Sequence, residues 1–119
     1  MRLAKGVVPP SRMNATEQKY ADVLEYKRRA GEIAWWAFEP IKLSLADNTF
    51  YTPDFLVMLP GGELECHEVK ATWLIKGKPM AAWRDDARVM IKVAAESFPF
   101  RFIAVNPTKD GGWQREEIG

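Results

Sequence analysis

The sequence predicts an α/β sandwich with a mixed central sheet flanked by two main helices. Three observations carry this. Asn14 and Glu17 open a helical pattern that closes at Gly31. Two apolar runs flank Pro60-Gly61-Gly62, a turn signal between paired strands. A second helical stripe is followed by the apolar run Phe100–Val105. Helix, several strands, helix, strand is the order of a sheet covered by helices, and a parallel pairing of the last strand would need a right-handed crossover.

Met1 to Met13 holds Pro9-Pro10 with Arg2, Lys5 and Arg12, and reads as a flexible basic arm. It could also touch a DNA backbone. Residues 14–119 read as one domain, which suits the length of 119 residues. Asn14 is a good N-cap, and Glu17 stands where a capping-box carboxylate stands. The helix should run to about Ala30, with Tyr20, Val23, Leu24 and Lys27 as its inner stripe and Lys27-Arg28-Arg29 near its C-terminus. Ile33 to Phe38 reads as a short strand ended by Glu39-Pro40. Ile41, Leu43 and Leu45 alternate with polar residues as a second strand. Phe50 to Thr52 leads into the central hairpin. The tryptophans at 35 and 36 read as packing residues.

In a hairpin turning near Gly61, the start of one strand lies beside the end of the other. Asp54 is thereby brought close to Glu68 and Lys70. Strand period puts Leu64, Cys66, Glu68 and Lys70 on one face, and Glu63, Glu65, His67 and Val69 on the other. The more polar second set is expected to face solvent, which makes His67 a surface residue. Two carboxylates about 4 Å apart repel by roughly 4 kcal/mol at an effective dielectric near 20. Lys70 relieves part of that, and a divalent metal would relieve more.

Ala71 to Lys78 reads as a loop rich in apolar and basic groups, either a surface loop or one facing a nucleic-acid backbone through Lys76 and Lys78. Pro79 fits the first turn of a second long helix running to about Phe98. Trp83, Ala87, Met90, Ile91 and Ala94 form its buried stripe, and Arg84, Arg88 and Lys92 line another face. Asn106-Pro107 and Asp110-Gly111-Gly112 are turns. Trp113 to Ile118 is a final edge strand or a tail.

Pro53-Asp54, followed after the hairpin by Glu68-Val69-Lys70, resembles the signature of the PD-(D/E)XK nuclease superfamily. From about Asn14 to Val105 the chain is most similar to small phage and prophage proteins of that superfamily. Ala71 follows Lys70 where those relatives often carry glycine. The resemblance implies a restriction-endonuclease-like core and a metal-dependent DNA endonuclease, with branched or recombination DNA among the expected substrates. It implies Asp54, Glu68 and the Val69 carbonyl around Mg²⁺, with Mn²⁺ as a substitute, and Lys70 beside the attacking water. It also implies a metal-facing role for Glu17, and a basic residue of the second helix, Arg88 or Lys92, near the site. The alternative is a nucleic-acid-binding or partner-binding phage protein of the same fold with little catalysis.

Composition bounds the other classes. The single cysteine, Cys66, excludes an internal disulfide and reads as a core residue, and the one histidine falls on the opposite face from Glu68. No apolar run approaches a membrane span and no signal peptide opens the chain, so the expectation is the cytoplasm, the host's if phage-encoded. Net charge is +1, so DNA binding must rest on where charges lie. A homodimer would join two surfaces into an extended one.

Overall fold

In the structure, a computed structural model describing residues 13–70, 72–75, 78–81 and 85–119 (side chains for 13–70 and 88–119), the first helix starts at its cap. Helix α1 spans Ala15–Arg29. The Glu17 amide donates to Asn14 Oδ1 at 2.8 Å, and the Asn14 amide donates to Glu17 Oε1 at 2.9 Å. Each bond satisfies an N–H that the helix cannot satisfy itself. The helix ends at Ala30, and Gly31 follows at φ +80°, in the left-handed region that glycine enters without penalty.

Strands β1 (Trp35–Phe38), β2 (Leu43–Ala46), β3 (Thr49–Tyr51), β4 (Phe55–Met58) and β5 (Leu64–Val69) follow. Next come β6 (Thr72–Ile75), β7 (Lys78–Ala81), helix α2 (Asp85–Ser97), β8 (Arg101–Pro107) and β9 (Trp113–Ile118). The central sheet has five strands in the order β1-β4-β5-β8-β9. Only β5 and β8 run parallel; the other neighbours are antiparallel. The parallel pair needs a long connection, and β6, β7 and α2 supply it. The β4–β5 turn closes with Leu59 N to Glu63 O at 2.8 Å and Gly62 N to Leu59 O at 2.9 Å.

Both faces of the sheet are covered. On one, Tyr20, Ala21 and Leu24 of α1 pack on Phe55, Val57, Val69, Ile103 and Val105. On the other, Ile91 and Ala94 of α2 pack on Leu56, Cys66, Phe102 and Ala104, joined by Leu43 and Tyr51 of the β2–β3 ribbon. The sandwich is therefore helix, mixed sheet, helix. Ala21 replaces Val23 and Lys27 in the buried stripe expected for α1; Val23 packs at the core's margin. Among the described residues no helix is long and apolar enough to cross a membrane.

Three expectations change. The face with Glu65, His67 and Val69 does not meet solvent: α1 lies on it, and Glu65 and His67 are each 2% exposed. Alternating polarity misleads here because the buried polar atoms are paired with one another. His67 Nε2 lies 2.9 Å from Glu65 Oε1, and His67 Nδ1 lies 2.5 Å from Tyr20 Oη. Arg101 Nη1 donates to Glu65 Oε2 at 3.0 Å. The hydrogen bond from His67 leads the causes that hold the Glu65 carboxyl below its usual range. With Glu65 ionised, Nε2 carries the imidazole proton and Nδ1 accepts from Tyr20. Burial pushes the His67 pKa down, and the pull of Glu65 does not reverse it.

The second helix begins at Asp85, and the expected loop contains a hairpin instead. Thr72 pairs with Ala81, and Leu74 with Pro79. Thr-Trp-Leu-Ile has the β-branched and aromatic character that favours strands, and a two-stranded ribbon leaves Pro79 an outer edge for its missing donor. Asp85 and Asp86 then open α2, where the helix dipole favours acids. Trp113–Ile118 is an edge strand, not a tail. The arm residues 1–12, Trp83 and the side chain of Ala87 lie outside the described residues.

Tyr20→Phe should cost about 1–3 kcal/mol, because it leaves the buried Nδ1 acceptor without its donor. Urea denaturation of the two chains at pH 7 checks this.

Candidate active site

The pairing of β4 with β5 decides which groups meet. Phe55 lies opposite His67 and Leu56 opposite Cys66. Continued by two residues, the same register sets Asp54 opposite Glu68 and Pro53 opposite Val69. The Lys70 amide donates to Val105 O at 2.9 Å, so the N–H of Lys70 faces β8. Strand alternation then turns the N–H and C=O of Val69 toward β4. An ordinary residue at 53 would exchange both ladder bonds with Val69. Proline has no N–H to give, so it cannot serve the Val69 carbonyl. The Val69 amide donates instead to Asp54 Oδ2 at 2.8 Å. One side chain thus takes up the Val69 amide, and the Val69 carbonyl receives no N–H from residue 53.

Glu68 is gripped at both oxygens. Tyr51 Oη donates to Oε1 at 2.6 Å, and Lys70 Nζ lies 2.9 Å from Oε2. The Glu68 and Lys70 side chains are only 12% and 15% exposed, so this is a largely desolvated pair. Tyr51 comes from β3, which makes the small ribbon part of the site's wall. Burial, then the Glu68 charge, raises the pKa of the Tyr51 phenol and keeps it a donor.

The Asp54 carboxyl is pushed up to about 8. Burial is the main cause and the Glu68 charge the next; Glu17 adds to the rise, while the Val69 amide and Lys70 oppose it. Glu17 therefore acts on Asp54 from the first turn of α1 while it also completes the helix cap. Asp54, Glu68, Lys70 and Glu17 share one electrostatic environment in which carboxylates outnumber the ammonium.

The basic residues are placed differently. Arg88 Nη2 pairs with Glu116 Oε2 at 2.7 Å. Glu116 is on the edge strand β9 and stands across Ala104 from Glu68 in the same row of the sheet, so Arg88 lies over that face, two strands from β5. Lys92 is exposed on α2. Lys76 and Arg84 lie outside the described residues, as does the side chain of Lys78, whose backbone is in β7. Cys66 is buried in the core, and burial pushes its thiol up to about 12, which excludes a ready thiolate.

Two neighbours were not singled out from the sequence. Tyr51 could have been noticed as a hydroxyl three residues before Asp54. Asn106 gave no signal beyond a turn dipeptide. In the structure Val105 pairs with Val69, so Asn106 stands beside Lys70. Its Oδ1 is buried and has no hydrogen-bond partner among the described residues.

Among the described residues no three carboxylate, imidazole or thiol groups gather closely enough to cage an ion. The donor set of two carboxylates and a strand carbonyl is sparse, as suits an ion that keeps waters for substrate to replace. Comparison with family models, curated proteins and solved structures finds no match to this chain.

Without divalent cation, stability should fall as pH rises from 6.5 to 8. Asp54 holds its proton in the folded chain up to about pH 8 and loses it near 3.8 when unfolded, so the unfolded state binds fewer protons in this window. The slope can reach about 1.4 kcal/mol per pH unit. Unfolded His67, at its ordinary 6.5, is half protonated at the start of the window while the buried imidazole binds less, so it opposes the decline there and fades toward pH 8. Urea denaturation across the window should show the decline in the parent, and Asp54→Asn should lose it, its profile level or rising slightly.

Proposed function

We propose that the protein is a Mg²⁺-dependent endodeoxyribonuclease with a restriction-endonuclease-like core, of the PD-(D/E)XK kind its motif resembles. One observation carries this: Asp54 and Glu68 sit in adjacent register at a strand end with Lys70 on Glu68, and Asp54 is raised by burial and by its carboxylate neighbours. Such a surplus of partly buried negative charge is relieved by a hard cation. Asp54, Glu68 and the Val69 carbonyl are all oxygen donors, which fits Mg²⁺ and admits Mn²⁺. Bound there, the ion lowers the pKa of water and offsets charge on the phosphoryl group.

The chain's own residues supply the rest. The Val69 amide fixes the rotamer of Asp54. Tyr51 fixes Glu68 from the other ribbon. The Lys70 ammonium, held on Glu68, would meet a phosphate oxygen and orient the attacking water. Glu17 adds negative potential from α1 and would hold the ion through water, as the motif's resemblance implies. The motif's resemblance supplies the substrate class, a phosphodiester of DNA cleaved by in-line hydrolysis, and these groups suit it.

The test is a panel of linear, nicked, flap and four-way-junction DNAs with Mg²⁺, with Mn²⁺ and with EDTA. Cleavage should require metal and vanish in Asp54→Asn. Binding without cleavage would overturn the endonuclease and select a nucleic-acid-binding protein, and the absence of both cleavage and binding would overturn each of these readings. Mn²⁺ at a hundred times its Kd should stabilise the parent by about 2.7 kcal/mol. Asp54→Asn should lose that gain, read as the shift in melting temperature.

A further inference from the structure

We propose that Asn106 belongs to this site, its side-chain oxygen serving as a neutral donor to the divalent cation, directly or through one water. The inference rests on the metal reading above and adds a residue that the motif does not contain.

Strand β8 runs parallel to β5, with Glu68 beside Ala104 and Val69 beside Val105. The next pair in this register is Lys70 and Asn106. Residues two apart share a face, so Asn106 stands on the same face as Ala104, and Ala104 stands beside Glu68. The amide is thus next in line after Glu68 and Lys70 at the sheet's active-site end. Its Oδ1 is buried and finds no donor among the described residues. A buried amide oxygen without a donor destabilises the fold, and such an atom in a native protein generally meets an ion or ordered water.

The neighbouring chemistry narrows the choice. The Lys70 ammonium lies on Glu68 Oε2 at 2.9 Å. The remaining donor to Glu68 is Tyr51, whose hydroxyl is on Oε1 at 2.6 Å. A further carboxylate at 106 would add to the repulsion among Asp54, Glu68 and Glu17. An amide gives a hard oxygen without added charge, which is the donor that Mg²⁺ and Mn²⁺ accept beside carboxylates.

Two variants of the full chain test this against the parent, with Asp54→Asn defining background Mn²⁺ binding. Asn106→Leu keeps the side chain's size and removes the orphan oxygen. Its melting temperature without metal should hold or rise, while Mn²⁺ affinity by calorimetry falls about 10-fold. Asn106→Asp keeps an oxygen at the same place and should bind Mn²⁺ as tightly as the parent or more so. If Asn106→Leu does not fold, Asn106→Asp decides alone: weakened binding overturns the proposal. Parent-like affinity in Asn106→Leu removes Asn106 and leaves the metal reading standing. A parent that binds no more Mn²⁺ than Asp54→Asn removes both.

Discussion

The site depends on a substitution of partners at the end of the central hairpin. Where the β4–β5 ladder would continue, Pro53 stands opposite Val69 and has no amide proton to give. Asp54 takes over the Val69 amide through its side chain, at 2.8 Å. That bond does two things. It stops the antiparallel ladder without leaving a buried donor unmet. It also holds a carboxylate across from Glu68, where charge repulsion alone would turn it away. The motif's proline is therefore a backbone device as well as a marker: it keeps the Val69 carbonyl from being absorbed into the sheet.

Strand β5 carries two polar systems on its two faces. On the α1 side, Glu65 and His67 form a closed chain with Tyr20 and Arg101. On the other side, Glu68 and Lys70 face Tyr51. The first has its principal donors and acceptors met within the fold; the second holds surplus negative charge and, at Asn106, an unmet acceptor. A satisfied network locks α1 onto the sheet, and α1 in turn brings Glu17 into the field of Asp54. The closed system thus positions part of the open one.

Much of the frame was legible because it rests on local signals. The Asn14–Glu17 cap, the Gly61-Gly62 turn and the period-two alternation each act within a few residues, and hairpin spacing sufficed to bring Asp54 to Glu68 and Lys70. What was missed depends on tertiary cover. His67 looked solvent-facing because its strand face is polar; only the arrival of α1, with Tyr20 as a matching donor, buries it. The hairpin β6–β7 was hidden by Pro79, which fits either a helix start or an outer edge of a ribbon. Arg88 lay on a basic helical face, but its partner Glu116 comes from β9, which no spacing within α2 announces. Tyr51 and Asn106 come from strands distant in sequence, and no spacing rule ties them to Glu68.

The balance of charge explains why such a site can persist in a folded chain of this size. Glu17, Asp54 and Glu68 bring three carboxyls toward one ammonium. If all were ionised the local excess would be two negative charges, in a place where water is partly excluded. The fold meets this in part by keeping a proton on Asp54 up to about pH 8. It meets it in part by clamping Glu68 between a neutral phenol and a cation. Neither measure removes the excess; under the proposed function a divalent ion would take the proton's place. The destabilisation is tolerable because the core is built elsewhere, from Phe55, Leu56, Val57, Phe102 and Ile103 at the middle of the sheet, while the charged groups occupy the strand ends. If the proposed ion binds there, the site trades folding free energy for that affinity.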